Sequence, residues 1–168
     1  ASSSTILYGD NTWAAAGGND GLPYFWASRI LDQSITDATE TKVEMDNEVL
    51  DSGNCYDDST NYRWTPNVAG KFFIFAQVYT VGNVADNMND AYAQLKKNGS
   101  AIAPYIETIP NANGRGWPQQ LSTIVDMNGT DDYLEIYGYM NTSTGNAYFG
   151  SAADPNNKTY WWGYRIAT

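Results

Sequence analysis

A chain of 168 residues with 9 Lys+Arg against 19 Asp+Glu, net charge −10, has the size of one domain and the wrong sign for nucleic acid or an anionic membrane. It has no His, which removes every Ser-His, Cys-His and His-metal arrangement, and its single Cys55 can form neither an intrachain disulfide nor a thiolate cluster. Aromatics at 14%, with 13 Tyr and 6 Trp, beside only 17% charged residues, are the usage of a β-sheet protein.

In chain order, residues 1–21 are small and polar with a Gly17-Gly18 break and read as an N-terminal arm or linker. They start at Ala1 without a Met or a basic-then-apolar leader, so the chain reads as a fragment or processed product. No stretch approaches the roughly 18 apolar residues of a membrane span. From residue 22 to 168 short apolar runs alternate with turn signals, as in a β-sandwich or jelly roll. Residues 23–30 (PYFWASRI), 71–79 (KFFIFAQVY) and 160–166 (YWWGYRI) are strands apolar on both faces. Phe72, Ile74, Ala76 and Val78 share one side of the second, with Phe73, Phe75 and Tyr79 on the other. A two-layer sandwich covers one face of each sheet, so these strands need a second cover. Residues 86–97 come nearest to a helical period, but Ala91, Ala93 and Leu95 alternate as a strand. Asn98-Gly99 predicts a type I′ hairpin joining residues 91–97 to 101–108, and Pro104 places a bulge or edge in the returning strand. Residues 121–127 (LSTIVDM) are more nearly one-sided.

Residues 55–78, CYDDSTNYRWTPNVAGKFFIFAQV, carry Tyr56-Asp57, Thr60, Trp64, Pro66 and Gly70-Lys71-Phe72-Phe73-Ile74 in the order of the C1q-like domain, which the chain resembles. Leu95 to Gly99, Leu121 to Asp126, Gly129 to Leu134 and Trp161-Trp162-Gly163-Tyr164 are similar to later motifs of that family. The turn at Asn61-Tyr62-Arg63 is one residue longer than the common form, Thr130 intrudes into a Gly-Asp turn, and Trp replaces Phe at Trp64 and Trp161. The spellings FWASRI and WTPNVAGKF look most like C1q-like tips of phage tail fibres, and no collagen repeat precedes the domain.

The resemblance implies an all-β, C1q/TNF-like jelly-roll sandwich of two antiparallel sheets assembling as a homotrimer, with the three two-faced strands together in the inner sheet. On that reading Phe72 and Ile74 enter the core, while Phe73, Phe75 and Trp161 form contacts between protomers; the alternative is that Phe73 and Phe75 pack under the N-terminal arm. The strand through Tyr133, Tyr137 and Tyr139 falls in the outer sheet, where tyrosines offer a ligand surface. The irregular segment 109–119 adds Arg115 and Trp117 as ligand candidates. The acidic pairs Asp57-Asp58 and Asp131-Asp132 read as turn caps or loop-solvating charges rather than a catalytic dyad. No catalytic residue, metal ligand or cofactor is assigned; calcium suits carboxylate oxygens, but no multi-ligand loop is present. The expected function is a non-enzymatic trimeric attachment module, the receptor-binding tip of a viral fibre on the virion, recognising a host-surface glycan or protein. The alternatives are a secreted cellular C1q-like recognition or adhesion module, and a structural virion trimerisation or decoration domain that binds no receptor.

Overall fold

The computed structural model describes residues 23–84, 88–103, 114–150 and 158–168, and the backbone of Thr5–Leu7 and Trp13–Ala15. The described residues form strands and no helix. In chain order the strands are β1 (Thr5–Leu7), β2 (Trp13–Ala15), β3 (Tyr24–Ser28), β4 (Gln33–Ile35) and β5 (Thr41–Lys42). Then come β6 (Asn47–Asp51), β7 (Tyr56–Asp57), β8 (Arg63–Trp64), β9 (Ala69–Gly82) and β10 (Met88–Lys97). The last are β11 (Ser100–Ala101), β12 (Gly116–Asn128), β13 (Leu134–Thr142), β14 (Ala147–Phe149) and β15 (Tyr160–Ala167).

Two antiparallel sheets face each other. One runs β11-β10-β13-β8-β7, with β5 also on β13. The other runs β4-β14-β9-β15-β3-β6, with β12 along the free edge of β9. Strands β3, β9 and β15 are adjacent in this second sheet, as the resemblance implies. The arm contributes a two-stranded ribbon, β1 against β2; whether it packs over Phe73 and Phe75, and whether Pro104 makes a bulge, lie outside the described residues. Asn98 and Gly99 take φ of 51° and 78°, the paired positive values of a type I′ turn, between β10 and β11.

The core lies between the sheets and is aromatic at one end. Phe25 stacks on Trp64 at 4.6 Å and meets Trp161 edge-on at 4.5 Å, and Trp64 meets Phe72 edge-on at 5.0 Å. Ile74, Ala76 and Val78 from β9, and Ala91, Leu95, Ile136 and Met140 from the opposite sheet, are all within the buried core. Phe72 and Ile74 are therefore core residues as expected. Trp161 is not an inter-protomer residue: it is wholly buried in its own chain, and its neighbour Trp162 takes the outward position. The reason is local. Gly163 shares the inward side with Trp161, and an added Cβ there would sit 2.5 Å from Ile74 Cδ1 and 3.0 Å from Phe25 Cε1. Neighbouring side chains fill the space that residue 163 leaves, so the less apolar side of the strand is the buried one.

Candidate interaction faces

The outward face of the β9 sheet is built by pairing register, since directly opposed residues share a side. Its levels follow one another along β9. Lys71 pairs with Asp126; Phe73 with Ile124 and Tyr164; Phe75 with Ser122 and Trp162; Gln77 with Gln120 and Tyr160; Tyr79 with Pro118. Strand β3 extends the two aromatic levels with Tyr24 beside Tyr164 and Trp26 beside Trp162, and Leu50 of β6 lies against Trp26. The rings touch: Phe75 stacks on Trp162 at 5.4 Å, Phe73 lies 5.7 Å from Trp162 and 5.9 Å from Tyr164. Tyr24, Trp26, Leu50, Ile124 and Tyr164 are nevertheless 41–57% exposed. Between β15, β3 and β6 the surface dips into a depression of about 360 Å³ lined by Tyr24, Trp26, Leu50, Trp162 and Tyr164. Ile124 stands out at the opposite edge of the face. The charges at its first level, Lys71 and Asp126, neutralise one another at 2.6 Å.

The outward face of the other sheet is polar and internally engaged. Tyr92 and Tyr139, directly opposed on β10 and β13, stack at 4.8 Å with ring planes 6° apart. Lys96 Nζ lies 3.8 Å from the Tyr137 ring centre, and Arg63 lies 4.5 Å from that of Tyr133. Lys96 also pairs with Glu40, whose second oxygen accepts from the Tyr92 hydroxyl at 3.3 Å, and Lys42 pairs with Glu135. The three tyrosines named from sequence thus share one half-buried face, with rings already in contact with side chains of their own chain. Tyr92 belongs to the same row and was missed, because residues 88–97 offer no second aromatic to mark the outward side.

Arg115 and Trp117 sit elsewhere, where β12 begins opposite the end of β9. Gly116 pairs with Val81 and Trp117 with Thr80, and both Arg115 and Trp117 are exposed. The chain enters the sandwich at the other pole, where Tyr24 pairs with Tyr164 and Tyr164 with Phe73. Phe73 and Val81 stand eight positions apart on β9, about 26 Å of strand.

One carboxylate of each acidic pair caps a turn, Asp57 in the first and Asp132 in the second. Asp57 accepts from the backbone N–H groups of Ser59, Thr60 and Asn61 and from the Asn61 amide. Partial desolvation pulls its pKa up, but these donors outweigh it and hold the carboxyl at about 2. Asp132 accepts from the Asn128 N–H and the Asn98 amide and pairs with Lys97 at 2.7 Å. The Lys97 bond is the main reason its carboxyl sits below the usual range. Burial pushes the Cys55 thiol up, away from the reactive thiolate. Among the described residues no group of three or more Cys, Asp or Glu is placed to hold a metal ion.

No protein-family model matches the chain, and no curated protein sequence does either. Solved structures do match. Murine APRIL at pH 8.5 superposes with a TM-score of 0.55 over 86% of this chain and 99% of its own, at 11% identity. The vertex protein P5 of phage PRD1 superposes with a TM-score of 0.56 over 100% of this chain and 84% of its own, at 12% identity. At those identities the likeness is one of fold, a TNF/C1q-like jelly roll.

Proposed function

We propose that the chain is a non-enzymatic homotrimeric attachment module of a virion, the tip of a fibre, that recognises a glycan or protein on the host surface. The observation that carries this reading is the aromatic face of the β9 sheet, on which Tyr24, Trp26, Leu50, Ile124 and Tyr164 are exposed. Contiguous apolar surface of this kind marks an interaction site, and its charge balance favours a sister copy as the occupant. The chain carries −10 overall, whereas the charges at this face are the matched pair Lys71 and Asp126 and the cation Lys158 beside Trp26, so the face does not share the excess of negative charge. Two copies can meet there without the repulsion that governs the rest of their surfaces. The exposed Ile124 on one edge and the depression beside Trp26 on the other support a head-to-tail arrangement, the kind of contact that makes a closed ring when the rotation is threefold. Receptor contact then falls to surfaces that remain free, with Arg115 and Trp117 at the pole away from chain entry the first candidates. Three copies of a weak site act together by avidity.

Light scattering on the purified chain tests the assembly: three times the protomer mass is expected for the wild type and the single mass for Phe75→Asp. A wild type that stays a single subunit at micromolar concentration sinks the proposal. Binding of the wild-type trimer to intact host cells, lost in Trp117→Ala, tests recognition. A second reading, a structural virion domain without receptor binding, is favoured by the tyrosine row, whose rings are engaged within the chain. Trimers that bind no host cell select it.

A further inference from the structure

We infer that Gln77 and Gln120 form an amide layer that fixes the register in which copies of the chain associate; this rests on the self-association proposed above. Along β9 the outward face passes from two aromatic levels to a level holding two primary amides, directly opposed on β9 and β12. Gln120 Nε2 donates to Gln77 Oε1 at 2.6 Å, and Gln77 Nε2 donates to the Lys158 carbonyl at 2.8 Å. An amide offers two N–H donors and an oxygen that accepts twice. These bonds therefore leave Gln120 Oε1 and one N–H on each amide without a protein partner among the described residues.

In the separate chain water satisfies those atoms, because the pair is exposed. Beneath a sister copy's rings they would be buried without partners, which association cannot tolerate at little cost. At the same level the next copy offers its own two amides, which supply both donors and acceptors, and beside them the single hydroxyl of Tyr160. Gln120 Oε1 of one copy accepts an N–H of the next, and threefold repetition closes the ring. Sliding one copy by two residues sets its amides against Phe75 and Ser122, or against Tyr79 and Pro118. Each slid level offers one hydroxyl, Ser122 or Tyr79, beside a residue with no side-chain hydrogen-bonding group, Phe75 or Pro118, and so fewer partners than two amides; the rings supply adhesion and the amides select the arrangement. A lone polar position in an apolar coiled-coil seam acts on the same principle.

Two variants test this, each read by native mass spectrometry and by inter-copy distances between spin labels on Ser143→Cys in a Cys55→Ser background. Gln77→Leu/Gln120→Leu is expected to keep associating while losing uniqueness, with dimers and larger species beside trimers and a broadened distance distribution. Gln120→Glu sets carboxylates into the layer, so it is expected to assemble only below about pH 5, where they are protonated. A leucine pair that yields one trimer with the wild-type distance overturns the amide layer and leaves the trimer intact. So does a Gln120→Glu chain that assembles equally at neutral pH. A wild type that never associates removes both readings together.

Discussion

Asp57 closes the loop after β7 with one carboxylate and five donors, from Ser59, Thr60 and Asn61. The left-handed residue Tyr62, φ 50°, follows, and β8 then delivers Trp64 into the core. The carboxylate thus stands behind the placement of one of the two core tryptophans. Its folded pKa of about 2 lies below the ordinary 3.8, so the stability it contributes is fully present above about pH 4 and is lost as pH falls through about 2. Asp57→Asn is expected to lower stability at neutral pH by about 1.5–3 kcal/mol, the range for hydrogen bonds to a charged group. It should also flatten the dependence between pH 4 and 2. Urea-unfolding midpoints of both proteins across that interval read the difference; parallel curves would assign the loop's order to other contacts.

The long strands were legible because their chemistry is redundant. In β9 four consecutive inward residues and the outward Phe73 and Phe75 state the period twice over, and Asn98-Gly99 admits few other turns. Strand β15 misled on its facing, since Tyr160, Trp162, Tyr164 and Ile166 form its more apolar side and yet lie outward. Only the neighbouring strands, whose Ile74 and Phe25 close over Gly163, decide which side is buried, and no residue of β15 encodes them. The same limit hid Tyr24, Trp26, Tyr164, Leu50 and Ile124 as members of one face, because pairing across β6, β3, β15, β9 and β12 joins positions far apart in the chain. A direct consequence concerns Gly163 itself. Its place is filled by Ile74 Cδ1 and by the Phe73 carbonyl oxygen, 2.5 and 2.9 Å from a built Cβ. Gly163→Val must overpack that contact and is expected to cost about 1–3 kcal/mol. A lowered thermal midpoint with unchanged strand signal in circular dichroism is the expected result; an unchanged midpoint would mean that β15 can rotate its faces.

At the scale of the molecule, the self-association proposed above sets two terms against each other. The net charge of −10 repels one copy from another, while the face that carries Phe73, Phe75, Trp26 and Trp162 attracts by burial. Fully burying a large apolar side chain contributes about 1.5–3 kcal/mol, so a few such positions in each copy outweigh a surface repulsion spread over many solvated carboxylates. The two terms respond oppositely to salt. Added ions screen the repulsion, with a Debye length near 10 Å at about 0.1 M, and leave ring-on-ring packing untouched. Dissociation measured by sedimentation should therefore weaken as salt rises, and the thermal midpoint should climb with protein concentration, as it does when folded copies stabilise one another. Trp162→Asp removes the ring that touches both Phe73 and Phe75 and adds a charge at the centre of the face. That variant is expected to remain folded, since Trp162 lies outside the core, and to lose both dependences. If salt instead drives the copies apart, ion pairs such as Lys71 with Asp126, exchanged between copies, hold the assembly and the aromatic face is secondary.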